Sequence, residues 1–98
     1  MSAKIQRLAE IDRIIHEPAR LMIVALLSAV KEADFQYLHQ STKLSKGNLS
    51  VHLSKLEEAG YIRIEKTFRG KYPLTVCRLT DRGRTELDSY RKIIKSAL

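Results

Sequence analysis

Between Gln36 and Leu56 the sequence has no carboxylate, while Lys43, Lys46 and Lys55 supply positive charge. A second acid-free stretch runs from Lys66 to Arg78 and contains Arg69 and Lys71. A surface that meets a phosphate backbone must avoid Asp and Glu, because each would repel the charges that supply most of the affinity. The residues beside these lysines are of the kind that read base edges. Ser45, Asn48, Ser50 and Ser54 can exchange hydrogen bonds with bases or phosphates, Val51 could touch a thymine methyl, and Gly47 would let a backbone approach closely. The chemistry on offer is recognition of a polyanion.

Each feature has a plainer reading on its own. Small polar residues can simply solubilise a helix, and two cations in a turn are usually just solvated. Their joint occurrence in two neighbouring segments favours recognition.

Catalysis has no comparable support. The sequence contains no nucleophile elbow, phosphate loop, paired-carboxylate motif or metal-binding signature, so no catalytic residue, metal or cofactor is expected and the chain is not read as an enzyme. His16, His39 and His52 are dispersed and lack ligand spacing. His52 lies at the edge of an apolar helical face and is read as packing locally. The single Cys77 precludes an internal disulfide, and its place in an alternating strand with Thr75 and Leu79 marks it as a small buried hydrophobe. Asn48-Leu49-Ser50 fits a glycosylation acceptor but falls in an expected helix of an unsecreted chain.

The elements that must position these residues follow from periodicity. Ser45 is an N-cap candidate for a helix over Ser45–Ala59, in which Leu49, Leu53 and Leu56 share one face before Gly60 ends it. At about 100° per residue, Gly47, Ser50, Val51 and Ser54 then point outward, with Asn48 and Lys55 on one flank. Asp34 caps a shorter helix that carries Phe35, Leu38 and Tyr37 inward and ends near Lys43, giving a helix-turn-helix over about residues 34–59. After Gly60 the period becomes two. Ile62 and Ile64 alternate with Arg63 and Glu65, and a second β-rich run, Leu74–Leu79, follows the turn-like Arg69-Gly70-Lys71-Tyr72-Pro73. This predicts a hairpin wing over about residues 61–79 with a basic tip.

Before these elements, Leu8, Ile11, Ile14 and Ile15 predict a terminal helix over about residues 4–16, stopped by Pro18, and Ala19–Val30 reads as a core helix. That run is broken by Arg20 and too short for a bilayer, which needs roughly 20 apolar residues, so no membrane is expected. After the wing, Thr80 and Asp81 start a helix over about residues 80–97 with Leu87, Tyr90, Ile94 and Leu98 in a stripe. The fold class expected is α+β, mainly α: a winged helix-turn-helix with a β-hairpin wing and N- and C-terminal dimerisation helices.

Size and charge agree with this. With 98 residues the chain can build one core, and residues 1–98 are read as a single domain. A formal charge of +7 attracts polyanions at long range. Charges at Lys4, Arg7 and Glu10 interrupt any signal-peptide core, which together with the lone Cys points to the cytoplasm. The terminal helices carry more apolar surface than so small a domain can cover. Leu8, Ile11 and Ile15, with Ile5, at one end, and Leu87, Tyr90, Ile94 and Leu98 at the other, are expected to pair across a two-fold axis.

The segment LSKGNLSVHLSKLEEAGYI resembles the recognition helix and first wing strand of the MarR/ArsR-like winged-helix regulators, and CRLTDRGRTEL resembles their second wing strand and following helix. The opening IDRIIHEPARLMIVALL and the entry ADFQYL are also similar to short members, so the resemblance spans almost the whole chain. It implies a dimer whose recognition helices enter successive major grooves of a roughly palindromic site. Ser45, Lys46, Asn48, Ser50, Val51 and Ser54 would face the groove, with Arg69 and Lys71 on the wing; Lys43, from its charge, is expected to contact the phosphate backbone. Metal-sensing relatives use Cys or His clusters, which this sequence lacks.

The expected function is therefore sequence-specific double-stranded DNA binding by a homodimeric transcriptional regulator, a repressor, without a cofactor and with no effector indicated. One rival, a winged helix that docks on protein, calls for apolar or acidic residues on the outward helix face. The other, RNA binding, calls for exposed aromatics, for which only Tyr72 and Phe68 are placed.

Overall fold

The computed structural model describes residues 3–98. Its elements are α1 (Ala3–Gln6), a 3₁₀ turn (Arg7–Glu10), α2 (Pro18–Ser28), β1 (Ala33–Asp34), α3 (Phe35–Thr42), α4 (Lys46–Glu58), β2 (Ile62–Arg69), β3 (Tyr72–Leu79) and α5 (Asp81–Ala97).

Local chemistry sets most of the boundaries. Asp34 accepts the Tyr37 N–H at 2.8 Å and starts α3, which ends where Lys43 takes a left-handed φ of 63°. Ser45 Oγ accepts the Asn48 N–H at 3.1 Å and starts α4, and Gly60, at φ 82°, supplies the left-handed residue just past its end. Thr80 Oγ1 accepts the Gly83 N–H at 3.0 Å and starts α5. Tyr37, expected to point inward, is 46% exposed instead. Phe35 and Leu38 already fill the inward face of that short helix.

The N-terminal segment departs from expectation, for it is not one helix over residues 4–16. Asp12 Oδ1 accepts the N–H groups of Ile14 and Ile15 at 2.8 and 3.1 Å, a side-chain bond that competes with helical pairing and turns the chain. The other Asp12 oxygen accepts the Tyr61 hydroxyl, tying the turn to the rest of the domain. Glu17 then caps α2 through both oxygens, accepting from Ala19 and Arg20 at 3.1 and 2.9 Å, with Pro18 in the first turn. Burial raises the Glu17 carboxyl, but these two backbone bonds, aided by the Arg20 guanidinium, hold it below its ordinary value.

The strands form one antiparallel sheet in the order β1-β3-β2. β1, two residues long, lies beside β3 with Ala33 opposite Cys77 and Asp34 opposite Val76; nothing in the sequence pattern announces so short a strand. β2 and β3 pair from Ile62–Leu79 out to Arg69–Tyr72, leaving Gly70 and Lys71 as a two-residue turn. Gly70 sits at φ 62°, as the first central residue of a type II′ hairpin turn requires. Pro73 is tolerated because it stands in the pair next to the hydrogen-bonded Arg69–Tyr72 pair. Its missing N–H would point to the side that β1 does not reach.

The sheet and helices enclose one core in which Ile23, Leu27, Leu38, Leu49, Leu56 and Cys77 are fully buried. Burial, with a smaller contribution from Glu57, pushes the Cys77 thiol up to about 11. Ile15, Leu87 and Tyr90 belong to this same core. They were expected at a dimer interface, but the chain buries them itself, because the turn at Asp12 brings Ile15 inward and α5 lies across its own domain. The entry to α5 is especially close. The Thr80 N–H donates to the Tyr61 carbonyl at 3.0 Å and Thr80 Oγ1 donates to the Gly60 carbonyl at 2.7 Å. A Cβ at Gly83 would overlap the Tyr61 carbonyl oxygen and lie 2.7 Å from Leu79 Cδ1.

Among the described residues, no helix is long and apolar enough to cross a membrane.

Candidate nucleic-acid interface

α4 turns Leu49, Leu53 and Leu56 into the core and presents Ser45, Lys46, Gly47, Asn48, Ser50, Val51, Ser54 and Lys55 to solvent, every one of them exposed. Val51 is 54% exposed, an apolar group held out in water between two serines. A Cβ at Gly47 would meet nothing within 4 Å, so the first turn of α4 is open. That turn has no acidic residue, and its free amides and positive dipole end favour an anion. Lys43, also exposed, stands at the turn between α3 and α4, where His39 Nδ1 lies 2.8 Å from the Leu44 carbonyl.

What fixes α4 against the rest of the domain includes two residues whose role the sequence reading did not find. Arg20 is only 9% exposed. Its Nε donates to the Ile14 carbonyl at 2.6 Å, and Nη1 lies 3.1 Å from His52 Nδ1 on α4. Arginine carries only donors, so Nδ1 accepts. Glu17 Oε2 completes the group, 3.9 Å from Arg20 Nη1 and 3.6 Å from His52 Nδ1. His52 thus packs and bonds locally, as its place on the helix suggested. One polar cluster joins the Asp12 turn, α2 and the inner flank of α4. The available signal was Arg20 itself, a lone cation in an apolar run.

The wing presents Arg69 and Lys71, both exposed, at its tip. Phe68 and Tyr72 are exposed beside them, at 69% and 78%. Further down, Arg63 and Arg78 face each other across the strands, with Arg78 paired to Glu65. β2 packs against α4, so the hairpin is anchored to the helix at its base.

At the far end, α1 and the 3₁₀ turn pack against α5. His16 Nδ1 lies 3.1 Å from the Tyr90 hydroxyl, a second tie between the N-terminal segment and α5. Ile5 and Leu98 are exposed at 44% and 88%, and Leu8, Ile11 and Ile94 are half-buried. Among the described residues no three His, Cys, Asp or Glu side chains gather as metal ligands.

The family model for the winged helix DNA-binding domain matches residues 19–98, from the start of α2 to the end of α5. The chain belongs to this family. An uncharacterized protein of Methanocaldococcus jannaschii is 33% identical to this winged-helix domain over 78 residues, which cover 80% of this chain and 85% of the relative. Among solved structures, a transcriptional regulator homologue protein from Pyrococcus horikoshii OT3 superposes with a TM-score of 0.87 at 30% identity, covering 93% of this chain and 92% of that one. A MarR-family transcriptional regulator from Silicibacter pomeroyi gives 0.69 at 20% identity, covering 96% of this chain and 60% of that larger one, a likeness of fold. An ArsR-family transcriptional regulator, RHA00566, gives 0.64 at 20% identity over 97% of this chain and 93% of that one, so the domain shares its fold with both the MarR and the ArsR groups that its sequence resembles.

Proposed function

We propose that this winged-helix regulator binds double-stranded DNA sequence-specifically as a homodimer and represses transcription by occupying its site. The observation that carries the reading is the outward face of α4: small polar groups, one apolar group and lysines, all exposed, with no carboxylate. Such a face fits a major groove, where serine and asparagine reach base edges and Val51 a thymine methyl. Ser45, Lys46, Gly47, Asn48, Ser50, Val51, Ser54 and Lys55 form the reading surface. Arg69 and Lys71 serve the wing, and Lys43 holds a phosphate. The protein acts in the cytoplasm, performs no reaction, and needs no cofactor.

The dimer forms through the terminal apolar surface that the fold leaves uncovered, namely Leu8, Ile11, Ile94 and Leu98 with Ile5. Ile15, Leu87 and Tyr90 support that surface from within. Sedimentation at micromolar concentration tests this part, and a monomer there rejects it.

DNA binding is tested by titrating labelled duplexes at several salt concentrations. If Lys43, Lys46, Lys55, Arg69 and Lys71 each neutralise a phosphate, the logarithm of the affinity falls with that of salt at a slope of about −4 to −5 per protomer. Affinity indifferent to salt rejects the reading. Selection from random duplexes then yields the site, and a template carrying that site upstream of a start point should lose transcription when the protein is added.

A further inference from the structure

The wing tip is more than a pair of cations. Phe68 and Tyr72 are 69% and 78% exposed, more than any other Phe or Tyr of the chain. The register places Phe68 directly opposite Pro73, and Arg69 directly opposite Tyr72. Successive residues of a strand point to opposite faces, so the tip has an apolar face of Phe68 on Pro73 and a second face of Arg69 beside Tyr72. Phe68–Pro73 is the closer, non-hydrogen-bonded kind of pair, in which the proline ring stiffens the support under the phenyl ring. β1 stops at Val76, so from Thr75 outward the hairpin is a two-stranded ribbon, and residues 66–73 are all exposed. Two large rings left in water at the end of a ribbon are a contact surface awaiting a partner.

The absence of any acid from Lys66 to Arg78 makes that partner an anion, and the rings require flat apolar surface within it. Stacked base pairs behind phosphates supply both. We propose that the wing tip is a wedge: Phe68, backed by Pro73, enters the minor groove and partly unstacks a base step, while Arg69 and Tyr72 grip the adjoining backbone. This rests on the reading of the chain as a duplex-binding regulator and adds a second mode of readout to it, through the ease with which a step deforms.

A wedge and a purely electrostatic wing have opposite preferences. Arginine alone favours the stiff, narrow-grooved A-tract, whereas a wedge favours flexible TA steps. The test uses the full chain and two duplexes of about 30 base pairs, one alternating d(TA) and one d(A)·d(T). In the alternating duplex 2-aminopurine replaces adenine along one strand, so that every binding register places a probe beneath the wing.

The wild type should bind the alternating duplex more tightly and raise its 2-aminopurine fluorescence. Phe68→Ala should bind it about tenfold more weakly. The variant should lose both the fluorescence rise and the preference over the A-tract, with an unchanged thermal melt because Phe68 supports no core contact. Phe68→Leu, still apolar, should keep part of the rise.

Salt-sensitive binding with an A-tract preference and no fluorescence change overturns the wedge and leaves duplex binding standing. So does tighter binding to the separated strands, which would make the rings a platform for unpaired bases. No salt-sensitive binding to either duplex removes the DNA reading as well.

Discussion

α4 and α5 begin with the same local device and end in opposite situations. Each is capped by a hydroxyl side chain that accepts the N–H three residues on, Ser45 from Asn48 and Thr80 from Gly83. Each has a glycine in its first turn. At Gly83 an added methyl would overlap the Tyr61 carbonyl and crowd Leu79, whereas at Gly47 it would meet nothing. One helix start is sealed into the domain and the other is held open. A glycine pressed against backbone serves the fold. A glycine facing empty space, at the positive end of a helix with no acid near it, serves whatever approaches from outside.

The sharpest way to break this contrast is Gly83→Ala. The obstacle is backbone and cannot swing aside, so α5 must shift from the sheet, at a cost of about 2–4 kcal/mol despite alanine's better helix propensity. In a domain of this size that lowers the melting midpoint by roughly 10 to 25 °C. A melt within 2 °C of wild type would show that the sealed end is looser than its packing implies.

The sealed side should also respond to alkali. Cys77 is fully buried, and its thiol is pushed up to about 11 from an ordinary 9.0. Between those values the unfolded chain gives up the proton and the folded chain keeps it. The stabilisation is therefore complete below pH 9 and is lost as pH rises through 11, by at most about 2–3 kcal/mol. Tyr61, raised by burial and by the Asp12 carboxylate, acts in the same sense at higher pH. Cys77→Ala should flatten the fall in denaturation midpoint between pH 9 and 11. An unchanged slope would mean that the thiolate is accommodated or that Tyr61 alone sets the response.

The two caps provide a smaller test. Thr80 accepts from Gly83 and also donates to the Gly60 carbonyl at 2.7 Å, whereas Ser45 only accepts. Thr80→Ala leaves a half-buried carbonyl unpaired and should cost about 2 kcal/mol, against about 1 kcal/mol for Ser45→Ala. Equal losses in urea titrations would reduce both residues to simple caps.

How much of this could be read beforehand depended on how local the cause was. The caps at Asp34, Ser45 and Thr80, the Leu49/Leu53/Leu56 face, Gly60 and the basic turn are written within a few residues each, and they were legible. Ile15, Leu87 and Tyr90 were recognised as apolar faces, but periodicity does not say whether such a face meets its own domain or a second chain. The break in the terminal helix is not legible in the sequence, because Asp12 is held by Tyr61, a residue 49 positions away. The Glu17–Arg20–His52 group and the strand β1 are likewise products of tertiary contact. The outward residues of α4 were identified from spacing alone. Their exposure fits the groove-facing role that the proposal gives them.

Gly47→Ala separates stability from function most cleanly. With open space at the site, the new methyl removes the unfolded chain's extra freedom and improves helix propensity, so the fold should gain up to about 1 kcal/mol and melt a few degrees higher. If the start of α4 is where a duplex approaches, the same methyl stands between the helix amides and the phosphate or base they meet. Duplex affinity should then fall several-fold in a protein that is more stable than its parent. A loss of affinity accompanied by a lower melting point would point to damage to the helix. A more stable protein with undiminished affinity would show that the open end of α4 is not the surface that touches DNA, and would move the contact to Ser50, Val51 and Ser54 further along the same face.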